Sequence, residues 1–151
     1  MTTVTRDVAA KVLDVVDHGL CSGKGEPIPG KMCVEAAVCF ALGEPHGDSP
    51  SCVGTAVRAV KIKLNDCRWS SNAARANGLR AVAIAQLGSD TIDQAKFVKI
   101  LAELTIRSIV PHALRSAAKV NPGHAGSLEK AAKRCEAEGT KDSAAFSSDP
   151  A

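Results

Sequence analysis

The sequence predicts an all-α protein, a single irregular bundle of five or six helices spanning 1–138, with a disordered tail over 139–151. Three observations carry this prediction. The apolar share is 45%, high enough to fill a core, yet aromatics are only 3%, with no tyrosine and one tryptophan. Ala, Val, Leu and Ile must therefore supply the interior, and alanine favours helices over strands. Apolar residues recur at three- and four-residue spacing between Gly- and Pro-rich breaks, and no convincing alternating strand appears.

The elements follow in order. Residues 3–18 carry Val4, Val8, Val12, Leu13, Val15 and Val16 on a rough helical stripe that Gly19 stops. CSGKGEPIPG, 21–30, is a loop. Residues 31–42, KMCVEAAVCFAL, form a helix apolar nearly all round and so buried. GEPHGDSPS, 43–51, is a second loop, with Ser51 capping the next helix. The loops at 20–30 and 43–52 leave room for short β-pairs. In helix 52–64, Val53, Ala56, Val57, Val60 and Leu64 share one face; Thr55, Arg58, Lys61 and Asn65 share another. Ser70 or Ser71 caps helix 72–87, which Gly88 ends. Asp90 or Thr91 caps the longest helix, 92–110. Its residues Phe97, Ile100, Leu101, Leu104, Ile106 and Ile109 make it the central helix of the bundle. Pro111 breaks or kinks it. Helical character resumes over 112–119, and a polar last helix covers 127–137.

Composition narrows the function classes. The net charge of +3 is mild and demands neither DNA nor a membrane. So few rings disfavour base-stacking nucleic-acid modules. No apolar run approaches the ~18 residues of a membrane helix. No secretory leader is visible in 1–19, so a cytoplasmic, reducing location is expected. The six cysteines (21, 33, 39, 52, 67 and 135) are then read as free thiols, with Cys33, Cys39 and Cys52 buried as small hydrophobes.

Four constellations are candidates for chemistry. Cys33 near a helix N-terminus, with His46 and Asp48 as base and orienter and Glu35 nearby, sketches a cysteine hydrolase or transferase. The plainer reading is a packed cysteine and a turn histidine, and it is preferred. Cys33, Cys39, His46 and Cys52 offer four zinc donors, but their gaps do not match structural zinc spacing, so no metal and no cofactor is expected. Glu35, a carboxylate in an apolar helix, must reach solvent or pair with a cation, with Lys31 or Arg58 the first candidates. The favoured site is the stretch Arg58, Lys61, Asn65, Asp66, Arg68, Trp69, Ser70, Ser71 and Arg75. Basic side chains, a helix N-terminus and one aromatic plate suit an anionic partner, such as a nucleotide-like ligand or an acidic protein surface. A helix-turn-helix DNA reader over 52–87 is an alternative, short of exposed polar side chains on its second helix.

The stretches PGKMCVEAAVCFALGEPHGD and KIKLNDCRWSSNAARA, within about 20–90, resemble small uncharacterised proteins encoded in bacterial genomes, prophages and mobile elements. The resemblance transfers no residue roles. It implies only a class: a non-enzymatic binding protein, such as a phage-type inhibitor or sequestering protein acting on a host protein or signalling nucleotide. A symmetric dimer is the default oligomer.

Overall fold

The computed structural model describes residues 4–145. These residues are all-α: seven helices of nine residues or more, one single-turn helix, and short 3-10 and π turns. None is long and apolar enough to cross a membrane. The one β-feature is an isolated bridge between Gly25 and Met32. The chain divides into two compact units, Met1–Gln94 and Ala95–Ala151, where the sequence suggested one bundle.

The first unit holds α1 (Arg6–Asp17), α2 (Val34–Leu42), α3 (Thr55–Asp66) and α4 (Asn72–Ala85). Helix α2 packs on α1, α3 and α4 and is its hub. Val34, Ala36, Ala37, Val38, Cys39 and Ala41 are all buried, and so is Glu35. Small side chains at these positions let three neighbours approach closely. The helix starts at Val34, three residues later than the sequence suggested, because Cys33 is extended (φ −75°, ψ 169°) and its Sγ accepts from Ala36 N as the N-cap.

Ser51 does not cap α3. It binds Glu44 instead, its N lying 3.1 Å from Oε2. The cap position falls to Gly54, with no side-chain cap of its own. Residues 89–94 supply the missing acceptors: Gly54 N donates to Ser89 Oγ (3.0 Å) and Ala56 N to Gln94 Oε1 (3.1 Å). Ser71 does cap α4, accepting from Ala74 N at 3.0 Å.

The expected central helix 92–110 is the main correction. The segment opens with a 3-10 turn (Ser89–Thr91) and α5 (Gln94–Leu104), passes through a π turn (Thr105–Ile109) and continues as α6 (Val110–Val120). No residue of α5 is buried. The π turn sits immediately before Pro111, whose ring nitrogen cannot donate to the preceding turn; widening by one residue, with Val110 N bonding Thr105 O, carries the helix past it.

In the second unit α6 and α7 (Ala125–Glu138) pack as a helical hairpin across Pro122–His124. Arg107 caps α7, donating to the carbonyls of Glu136 (2.7 Å), Ala137 (2.8 Å) and Glu138 (3.0 Å). Residues 140–145, expected to be disordered, instead form α8 (Lys141–Ala144) behind a Thr140–Ser143 capping box. Arg134 holds this turn through the carbonyls of Asp142, Ser143 and Ala145, and Ser143 is buried. The rest of the expected tail, 146–151, lies outside the described residues.

Candidate functional site

The polar centre of the first unit is built on Asn65 and Arg75, and both are buried. Asn65 Oδ1 accepts from Val34 N (3.2 Å), and its Nδ2 donates to Cys21 O (2.9 Å) and to Asp66 Oδ1 (2.9 Å). One amide thus ties the end of α3 to the start of α2 and to the loop before it. Arg75 donates to Asn65 O (2.8 Å), Leu20 O (3.0 Å) and Asn72 Oδ1 (2.8 Å). Asp66 reaches back to the loop, accepting from Gly23 N (2.8 Å) and Ser22 Oγ (3.3 Å). Partial burial pushes the Asp66 carboxyl up. The donors from Gly23, Asn65 and Ser22, with the nearby Arg75 charge, outweigh it and hold the pKa below the ordinary value, so Asp66 is ionised at neutral pH. Gly25 completes the loop at φ +69°, where a Cβ would collide with the carbonyl of Lys31.

Beneath this loop lies Glu35, 0% exposed. Its partner is neither Lys31, which pairs with Glu26 at the surface, nor Arg58, but Lys61, 1% exposed. Lys61 Nζ stands 3.2 Å from Oε1, off the line of a directed hydrogen bond, and Oε2 has no donor. Burial pushes the Glu35 carboxyl up and the Lys61 ammonium down, and in each case their mutual attraction only partly offsets it. Arg58 adds a weaker attraction to Glu35, and Asp48 a repulsion.

Glu35 lines a small pocket of about 60 Å³. Cys33, Val34, Glu35 and Asn65 are its buried floor; Gly23, Lys24, Asp48 and Asp66 are its exposed rim. Three carboxylates thus line the pocket, against the single ammonium of Lys24. The volume has room for an ammonium or guanidinium head, or a few waters. Among the described residues no group of three or more His, Cys, Asp or Glu side chains is placed to hold a metal ion.

The basic patch read from the sequence is not assembled. Lys61, Asn65 and Arg75 are spent inside the protein. Asp66 pins the 22–23 loop, and Ser71 uses its hydroxyl on its own helix. Trp69 donates to Leu64 O (3.0 Å) and lays its ring against Gly78, where a Cβ would collide with it. Arg58 donates to Ser49, leaving Arg68 and Ser70 as exposed remnants. Within α3, Val57, Lys61 and Asn65 follow at four-residue spacing and all three are buried, so the two polar positions continue the line of Val57 rather than forming the separate face the sequence suggested. That spacing was the available signal for Lys61. Gly23 and Lys24 at the rim carried no signal, because only the folded loop brings them over α2.

The cysteine constellation is not assembled either. Burial pushes the Cys33 thiol up, away from the reactive thiolate. His46 Nε2 donates to Gly25 O (3.0 Å), and no hydrogen bond among the described residues joins His46 to Cys33 or Asp48. All six cysteines are free, with Cys33, Cys39, Cys52 and Cys135 buried. The second helix of the candidate DNA reader has Arg75 and Gln86 buried and Arg80 engaged with Asp17 at 2.7 Å, so its exposed basic face is lost.

No protein-family model, curated protein or solved structure matches this chain. The site is therefore read from its own geometry.

Proposed function

We propose that this chain is a non-enzymatic binding protein whose first unit takes a small cationic group in the Glu35 pocket. One observation carries the reading: Glu35, a fully buried carboxylate neither of whose oxygens has a hydrogen-bond donor, is among the residues lining a pocket rimmed by Asp48 and Asp66. A buried acceptor left without a donor costs about 1–3 kcal/mol, more when charged, and a ligand N–H placed there would remove that cost. The acidic rim favours a cation over the anion suggested by the sequence. The pocket volume suits an ammonium or guanidinium head rather than a nucleotide. Lys61, 3.2 Å from Glu35 and not among the residues lining the pocket, balances its charge within the chain.

The test is calorimetric titration of the full chain with methylguanidinium chloride and with methylammonium chloride, against sodium chloride at matched ionic strength. Saturable heat with either organic cation, weakened several-fold in Asp48→Asn, supports the reading. No saturable heat from either cation, or binding that sodium chloride reproduces, overturns it.

A further inference from the structure

The carboxylate proposed to receive a cation already has one of the chain's own. Lys61 Nζ stands 3.2 Å from Glu35 Oε1, and each side chain is 1% exposed. The pair shares a single proton. It sits on Lys61 in an ion pair or on Glu35 in a neutral pair, and the proton count and total charge are the same in both. Burial favours the neutral form of each partner, and their attraction favours the charged one. Neither arrangement leaves net charge in the interior.

A ligand cation changes that sum. Placed against Glu35 while the shared proton remains, it leaves an unbalanced positive charge beside buried groups, the costly case for a protein interior. The surroundings do not offset it. Arg58 from α3 adds positive charge near Glu35, and Lys24 adds more at the rim. Asp48 and Asp66 are exposed, where water and salt screen them, and Asp66 is already held by Gly23, Asn65 and Ser22. The Cys33 and Cys52 thiols near Lys61 are kept neutral by burial. Helix α1 buries Val12, Val15 and Val16. The charged residue that α4 buries, Arg75, is engaged by Asn65, Leu20 and Asn72.

We infer that the pocket exchanges one proton for one cation. A bound ammonium or guanidinium head displaces the proton shared by Glu35 and Lys61. That proton passes to solvent, leaving Glu35 ionised and Lys61 a neutral amine. The inference rests on the cation reading of this pocket and adds its regulation. Affinity rises about ten-fold per pH unit wherever the free pair keeps its proton and the bound pair does not. The site therefore takes its ligand as pH rises and returns it as pH falls.

The test is calorimetric titration of the full chain with methylguanidinium chloride at constant ionic strength, in two buffers of different ionisation enthalpy. It runs over about pH 6 to 9, where a guanidinium keeps its charge, so a released proton comes from the protein. Wild type is expected to release close to one proton per ligand bound, with Kd falling about ten-fold per pH unit. Lys61→Arg keeps an internal cation that gives up no proton. Once circular dichroism shows it folded, it is expected to bind at least ten-fold more weakly than wild type at the upper end of the range, with no proton released. Wild type alone decides the exchange, and the variant locates the proton. No saturable heat at any pH overturns the cation reading and this inference with it. Saturable binding with equal heat in both buffers and a Kd indifferent to pH overturns the exchange and leaves the cation reading standing. Release of one proton that persists in Lys61→Arg places the proton elsewhere and also overturns it.

Discussion

Each unit of this protein holds a carboxylate–cation arrangement, and the two behave as opposites. In the second unit Arg115 binds Glu129 (3.0 Å) and Glu136 in the open, between the two helices of a hairpin. Hydrogen bonds to Arg115 hold both carboxyls below their ordinary range, so the charges are content in water and with each other. In the first unit Glu35 and Lys61 stand 3.2 Å apart and buried, and burial works against both charged forms. Solvated pairs of the first kind are helix support and contribute little. A buried pair of the second kind is often no better for stability than a well-packed apolar pair, so its presence asks for another reason. The pocket beside Glu35 supplies one.

Breaking the buried pair from one side gives the largest expected effect. Lys61→Met strands a charged carboxylate, and urea unfolding should show a loss of about 3–5 kcal/mol at neutral pH. The sign with pH follows from the raised Glu35 pKa. Stability associated with the protonated carboxyl is fully present below its unfolded value of 4.5 and is lost as pH rises through the folded pKa. The Lys61→Met deficit should therefore shrink as the pH is lowered toward 4.5, and a deficit constant across that window would contradict the buried charge. Removing both charges sharpens the comparison. Glu35→Met with Lys61→Met should recover most of the lost stability while abolishing any calorimetric response to methylguanidinium.

A smaller effect is expected in the second unit from Arg107→Ala. It removes three donors from the C-terminal carbonyls of α7 and should cost about 1–2 kcal/mol. Hydrogen exchange should speed first over 136–145. Smallest is Arg115→Gln, which should barely move the unfolding midpoint, and less still in high salt. A large effect there would erase the contrast between the two pairs. Thiol labelling adds an independent check. Cys67, exposed, should alkylate first, and Cys33, buried with its thiol pushed up, among the last.

The helical class was legible because helices announce themselves through local spacing. Ser71 as a cap and Gly43 as a C-terminal stop at φ +73° are equally local. What failed depends on partners distant in sequence. Helix α5 is apolar enough to be central, but periodicity cannot say whether a face is met by the same chain. Lys61 reads as a surface lysine until the four-residue spacing from Val57 is followed through it. Residues 140–145 read as a tail because Arg134, six residues upstream of Thr140, supplies the hydrogen bonds that order them. The candidate site was half legible: Glu35 and Asp48 stood out as residue types, Asp66 entered as part of a basic patch, and the loop that brings them together did not.

The central claim is that Glu35 is a buried carboxylate awaiting a donor from outside the chain. Carbon-13 NMR of the glutamate side-chain carboxyls, followed while methylguanidinium is added at constant ionic strength, tests it most directly. The account predicts that one carboxyl resonance, absent from Glu35→Gln, shifts saturably and titrates lower as the ligand binds, while the exposed glutamates do not respond. A Glu35 resonance unmoved by ligand, or one that titrates at its ordinary value of 4.5, would contradict it.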